Sequence, residues 1–198
     1  MTIKRLHLAK LLAVPLVGAA LFTHHSFSDD SRMDLAIELT GYMLLVVAAL
    51  GRLWAAVFIS GLKNSVLVTD GPYSIMRHPL YFFSLLGFVG AGLALESITL
   101  AACFGLLFFV THWPVILREE RRLAERCGES FTLYKKAVPR FFPRPWKLQH
   151  LPPTVTISPT LFSRALVESF MMLSIFVGAQ LLEGFHERYP STVLFLIP

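Results

Sequence analysis

The chain has 198 residues, of which 55% are hydrophobic and only 16% charged, with a mean hydropathy of +0.60. Soluble domains carry about a quarter charged residues, so this composition excludes an ordinary soluble domain and places the chain in a bilayer. The formal net charge of +5 does not point to nucleic acid, because the basic residues border apolar runs and no folded basic module carries them. Anionic lipid headgroups are the partner their placement fits.

In chain order, apolar runs occupy Leu11 to Phe22, Leu35 to Ser60, Leu80 to Leu95, Ile98 to Leu117 and Leu161 to Leu182, several of them near the roughly 20 residues that cross a hydrocarbon core. The expected fold class is all-α, a polytopic helical membrane protein. Residues 1–198 form a single integral membrane domain with five spans at about 11–25, 35–59, 79–95, 97–117 and 161–182. The first run, behind Lys4, Arg5 and Lys10, also has the layout of a signal peptide. It is read as an uncleaved helix because five helices starting on the cytoplasmic side partition the charges consistently. All basic residues except Arg32, Arg52, Arg164 and Arg188 then face the cytoplasm, as excess Lys and Arg should. The expected location is a bacterial inner membrane, with a cytoplasmic N-terminus.

His24 and His25 lie on the outer loop, where a solvated turn is the reading preferred over metal binding. Arg52 falls inside the second span, with Glu38 of the same span as a partner or a path inward by snorkelling; its expected role is structural. After this span LVTDGPYSIMRHPLY begins at Leu67. Asp70-Gly71-Pro72 signals a tight turn. Pro79 holds His78 extended and suits the first helical position, so the third span starts with free backbone N–H groups beside Arg77 and His78, a layout that attracts anions.

The fourth span contains His112 beside Trp113-Pro114, placed to shape a kink, and runs on through REERRLAERCG until Gly128 stops it. Glu119 and Glu120 stand where this span leaves hydrocarbon, a depth at which carboxylates pair with something. Ser130 can cap a short helix to Lys136, and VPRFFPRPW, with three prolines, cannot be regular helix and is expected along the headgroup boundary. In the last span Arg164 and Glu168 stand four apart and can neutralise each other. The closing STVLFLIP is too short to cross. Cys103 and Cys127 offer no disulfide and no metal spacing, and no glycine-rich phosphate loop, HExxH or GxSxG is present.

RLWAAVFIS, then LVTDGPYSIMRHPLY, then REERRLAERCGESFTLYKKAVPRFFP, in that order and at those membrane boundaries, resemble the isoprenylcysteine carboxyl methyltransferase family and its phospholipid N-methyltransferase relatives. The likeness covers about Arg52 to Pro143, within a methyltransferase-like core of about 52–147. It implies an integral membrane methyltransferase that uses S-adenosylmethionine, with a lipid or lipidated acceptor arriving from the bilayer and no metal. On matching positions, Arg77, His78, Pro79 and Tyr81 would form the first wall of the cofactor pocket. Glu119 and Glu120 match the acidic pair that contacts the cofactor, and Tyr134, Pro139 and Arg140 match the motif that closes the site. Two positions depart from the family pattern: Phe83 stands where glycine is frequent, and Phe131 replaces a frequent tyrosine.

The residues agree with that chemistry. S-adenosylmethionine carries a carboxylate, an ammonium, a sulfonium and an adenine, and asks for a cation or helix start, a carboxylate and aromatic surface. Arg77 or the helix start at Pro79 would hold the carboxylate, Glu119 or Glu120 the ammonium or ribose, and Tyr81 and Tyr134 would stack. Arg140 and Glu120 would act at the acceptor, Arg140 by orienting an anion. The bland readings stand beside these: Arg77 and His78 snorkelling to headgroups, one of the two glutamates pairing with Arg122 or Arg126, and Tyr81 and Tyr134 as interfacial anchors. Two other classes stay open, an NADPH-dependent membrane sterol or steroid reductase and a non-catalytic membrane scaffold. The sequence fixes neither the acceptor, the oligomeric state nor the task of the last helix.

Overall fold

The computed structural model describes residues 23–25, 32–60, 67–148, 151–189 and 195–197. Most of the first expected span lies outside them, and its last residues, Thr23–His25, form a short strand, β1. The remaining architecture is helical: α1 (Arg32–Ser60), α2 (Pro72–Ile75), α3 (Pro79–Leu93), α4 (Ile98–Ala137), a 3-10 turn at Pro145–Lys147 and α5 (Pro159–Arg188). A second strand, β2 (Phe195–Ile197), pairs in parallel with β1, with Thr23 opposite Phe195 and His25 opposite Ile197.

Among the described residues, Leu35–Ser60, Ile98–Ala137 and Pro159–His186 are long and apolar enough to cross a membrane. The chain is a polytopic helical membrane protein, as its composition required. The third expected span is different. With 15 residues, α3 is only about 22 Å long and falls short of a hydrocarbon core about 30 Å thick. It ends early because Ala94, Leu95 and Glu96 turn the chain, Glu96 with φ of 55°. Ser97 then caps α4 by accepting the Leu100 backbone N–H at 3.1 Å.

The chain divides into two compact units. One comprises the described parts of Met1–Val47, Leu85–Thr111 and Met171–Pro198; the other comprises those of Ala48–Ser84 and His112–Phe170. In the first, Leu45, Ala94 and Ala179 form a buried cluster with Tyr42 and Ile175 around it. A Cβ on Gly41 would lie 2.3 Å from the Ala94 backbone nitrogen, so α1 passes the end of α3 at a backbone distance only glycine allows, the usual device of lipid-embedded helices. The outer faces stay apolar: Leu50 of α1, Leu106 of α4 and Phe170 of α5 are all exposed, as suits surfaces meeting acyl chains.

In the second unit, Gly71 has φ of 56°, and a Cβ there would also come within 2.5 Å of the Phe58 ring. Both facts demand glycine, and they seat the α2 turn on a cluster of Ala55, Phe58 and Tyr73. The Asp70 and Gly71 carbonyls accept the N–H groups of Tyr73 and Ser74 at 3.1 and 3.0 Å, closing the turn that Asp-Gly-Pro announced. As expected, α4 breaks at Gly128, whose φ is 50°. The helical continuation packs Phe131, Tyr134 and Val138 against Leu67, Leu123 and Cys127. Phe131 is buried in this cluster, an apolar site that has no use for a tyrosine hydroxyl.

Candidate functional site

His78 and Pro79 behave as their order dictates. Helix α3 starts at Pro79, and the His78 carbonyl accepts the Phe82 N–H at 3.0 Å, so both residues are spent on the helix entry and are buried. The loop before them is tied to the segment after α4 by main-chain hydrogen bonds. The Arg77 N–H donates to the Pro139 carbonyl at 2.9 Å, and the Arg144 N–H to the Ile75 carbonyl at 3.0 Å. A proline-rich stretch without a helix or sheet ladder thus finds backbone partners, and these bonds bring Arg140 back to Arg77.

Glu120 stands between them. Its Oε1 lies 2.7 Å from Arg77 Nη1 and 3.3 Å from His78 Nε2. Arg140 approaches with both prongs, Nε to Oε1 at 3.1 Å and Nη2 to Oε2 at 2.8 Å, the planar fork that guanidinium and carboxylate share. The Arg140 guanidinium also lies 5.5 Å over the Trp113 ring, within cation–π range. One buried carboxylate therefore gathers two arginines and a histidine from two loops.

Arg77 is close to Glu120 in distance but not aligned with it. Its Nη1 is ion-paired with the carboxylate but off the hydrogen-bond line, and its Nε is buried with no partner at all, leaving the charged group short of an acceptor. Burial lowers the Arg77 pKa from its ordinary value, Glu120 working against that shift. Glu119, by contrast, is half-buried and, among the described residues, makes no hydrogen bond or ion pair. Its charge is felt at Tyr73, whose hydroxyl is raised well above its ordinary pKa by burial first and by Glu119 next. The Tyr73 hydroxyl too is buried with no hydrogen-bond partner.

The aromatic candidates separate. Tyr81 meets His78 edge-on at 5.8 Å and His112 at 6.1 Å, so it borders the Glu120 group. Tyr134, expected to offer a stacking face, instead donates its hydroxyl to the Tyr73 carbonyl at 2.7 Å and is buried. It clips the α2 turn in place. Phe141 is buried against Phe82, with ring centroids 5.7 Å apart, while Phe142 and Trp146 of the same segment are exposed, as a segment lying at an interface would arrange them.

Phe83 finds its room on α1. A Cβ on Gly51 would fall 2.2 Å from the Phe83 ring, so the bulk that stands where glycine is frequent is taken up by a glycine on the facing helix. Arg52, one residue on, does not pair with Glu38. Its Nη1 donates to Ser84 Oγ and, at 3.3 Å, to the Leu80 carbonyl, and its Nη2 donates to Glu168 of α5. Glu168 is thereby drawn to Arg52 rather than to Arg164, the partner helical spacing suggested.

Sequence reasoning missed the Tyr73 hydroxyl and the partner of Glu168. The GPY turn was visible, but nothing in the order of residues shows that its hydroxyl is sealed. The first unit holds another arrangement invisible to spacing: one carboxylate oxygen each of Glu38, Glu96 and Glu183 lie within 4.8 Å of one another. Glu38 accepts there from Tyr42 and Gln180 at 2.9 and 2.8 Å.

A membrane helical fold with an Arg-His-Pro helix entry facing a carboxylate hub defines a class, and comparison gives it a name. The chain belongs to the phospholipid methyltransferase family, whose model matches residues 36–130. It is 39% identical over 185 residues to the nickel-cobalt-cadmium resistance protein NccN of Alcaligenes xylosoxydans xylosoxydans, covering 92% of this chain and 86% of that protein. It is 37% identical over 176 residues to the cobalt-zinc-cadmium resistance protein CzcN of Cupriavidus metallidurans, covering 89% and 81%. A protein-S-isoprenylcysteine O-methyltransferase of Schizosaccharomyces pombe is 32% identical over 81 residues, 41% of this chain and 34% of that protein. No solved structure matches the chain.

Proposed function

We propose that this protein transfers a methyl group from S-adenosylmethionine to a lipid or lipidated acceptor at the membrane surface. The observation that carries the reading is the buried Arg77 guanidinium, whose Nε has no acceptor while Glu120 balances its charge through Nη1. A buried guanidinium with a donor to spare suits a carboxylate. Glu119, without a partner among the described residues, suits an ammonium. The residues present thus fit the two charged ends of the cofactor's amino-acid moiety.

When bound, the cofactor supplies an electrophilic methyl group on a sulfonium whose sulfur leaves as a neutral thioether. Nothing in that displacement asks the protein for a nucleophile or for a proton on the leaving group. Arg77 and Glu119 would fix orientation, and Tyr81 with His112 would wall the site. Glu120 would hold Arg77, His78 and Arg140 in register, so that it acts as a positioning residue. Alignment and exclusion of water are then the main sources of rate. From NccN and CzcN we take the setting, resistance to nickel, cobalt, zinc or cadmium; unchanged growth of a deletion strain on those metals would remove the setting and leave the chemistry untouched.

Calorimetric titration in detergent tests the reading. Replacing Arg77 or Glu119 by glutamine should weaken S-adenosylmethionine binding by about ten-fold or more, the worth of a charge-assisted hydrogen bond. Methyl-labelled cofactor should label a lipid or lipidated product in membranes that contain the protein. Binding of NADPH in place of S-adenosylmethionine would overturn the proposal in favour of a reductase.

A further inference from the structure

Arg52 stands on α1 twenty residues after the helix begins at Arg32, within a stretch apolar enough to cross a membrane. A charge at such depth is costly and marks function when its partner is unusual. Here the partner is unusual in its exposure: the Arg52 side chain is 16% exposed, but that of Glu168 is 55% exposed. Glu168 lies on α5 between outward-facing apolar residues such as Val167, Phe170 and Met171. The cation is fixed inside while the anion sits on the face that meets lipid.

The guanidinium is also incompletely used. Nη1 and Nη2 are engaged by Ser84, the Leu80 carbonyl and Glu168, whereas Nε is buried with no acceptor. Tyr73 supplies a second buried, partnerless donor in its hydroxyl, and it is 6% exposed. Its ring packs in the cluster that contains Ala55, the residue three after Arg52 on α1, together with Trp54 and Leu80, and the Leu80 carbonyl is the one Arg52 bonds. Guanidinium and phenol therefore share their walls. Leu80 also adjoins Tyr81, which borders the Glu120 group.

We propose that Arg52 and Tyr73 form a headgroup site for an oxyanion on an apolar tail, a lipid-borne carboxylate or phosphate, and that Glu168 occupies Arg52 until such a ligand displaces it. The site deepens the methyl-transfer reading by giving the acceptor a place of its own, and it rests on that reading only for the acceptor's fate. An incoming anion replaces one exposed carboxylate, keeps Arg52 neutralised and satisfies the sealed donors of Arg52 and Tyr73. Burying a charge without such an exchange would be unfavourable.

Binding to the full chain in detergent tests this, with N-acetyl-S-farnesylcysteine as the carboxylate probe, a short-chain phosphatidate as the phosphate probe and farnesol as the uncharged control. At least one anionic probe should bind and farnesol should not, and the probe that binds identifies the source of the oxyanion. Glu168→Gln removes the internal competitor and should tighten binding about five-fold, the scale of an exposed ion pair. The paired variant Arg52→Leu with Glu168→Leu leaves no lone charge in the bilayer and should lose about ten-fold or more in affinity, the scale of bonds to a charged donor. Its S-adenosylmethionine affinity should stay at the wild-type value. Neither anion binding, Glu168→Gln binding no tighter, or the double leucine variant binding normally would each overturn the site. Anion binding without any methyl transfer would overturn the function and leave the site standing.

Discussion

Glu120→Gln is the substitution that most directly tests how the loops are held. The change keeps the size and one acceptor oxygen but removes the charge facing Arg77, His78 and Arg140, whose side chains are 7%, 3% and 32% exposed. Removing one partner of a buried ion pair costs about 3–5 kcal/mol, because the remaining charge is left uncompensated. Solvent reaches Arg140 and screens its part, so the lower end applies, about 3 kcal/mol. For a chain of this length each kcal/mol moves a melting temperature by about 2–4 °C, so the midpoint should fall by about 6–12 °C. The assay is an intrinsic-fluorescence melt in detergent, with Glu119→Gln as the comparison. Glu119 holds no partner among the described residues, and its replacement should stay within about 0.5 kcal/mol of wild type. A Glu120→Gln midpoint within the error of wild type, or an equal fall for Glu119→Gln, would refute the hub.

Other consequences follow from the packing. Gly51→Val should destabilise strongly, because its Cβ would fall 2.2 Å from the Phe83 ring; Phe83→Ala introduced with it should restore much of the melting temperature, and failure of that rescue would show the two sites to be independent. Tyr134→Phe removes the bond to the Tyr73 carbonyl and should cost about 1–3 kcal/mol for the buried acceptor left behind, read as a lowered melting midpoint. Gly71→Ala meets both a left-handed φ and the Phe58 ring, and should cost about 1–3 kcal/mol by the same measure. The parallel change Gly128→Ala has the same dihedral problem but no atom within 4 Å, so it should cost the less of the two.

Much of the site was legible because its elements are made by local chemistry. Proline at position 79 suits the first turn of a helix, where its missing N–H is not needed; Asp70-Gly71-Pro72 turns because glycine tolerates the dihedral there. What local chemistry leaves open is partnership. Glu119 and Glu120 are neighbours of one type, and only the return of the Pro139–Arg144 segment to the Ile75–Arg77 loop gives Glu120 its two arginines and its histidine. Tyr134 was assigned an aromatic task from its place in a motif, whereas its hydroxyl had a carbonyl within reach across 61 residues.

The sequence alone determined that this is a helical membrane protein, where α1 and α4 run apolar, where α3 starts and where α4 breaks. Those outcomes depend on solvent preference and on backbone sterics, both properties of short stretches. Only the tertiary structure decided that Arg52 answers to Glu168, 116 residues away, and that Phe83 is received by Gly51 rather than by its own helix. It also decided that three distant carboxylates of the first unit converge. In lipid a helix is apolar on the face that packs and on the face that does not, so periodicity carries little record of which side is inward. The choice among partners then falls to close backbone approach and to the few polar groups that must find one another.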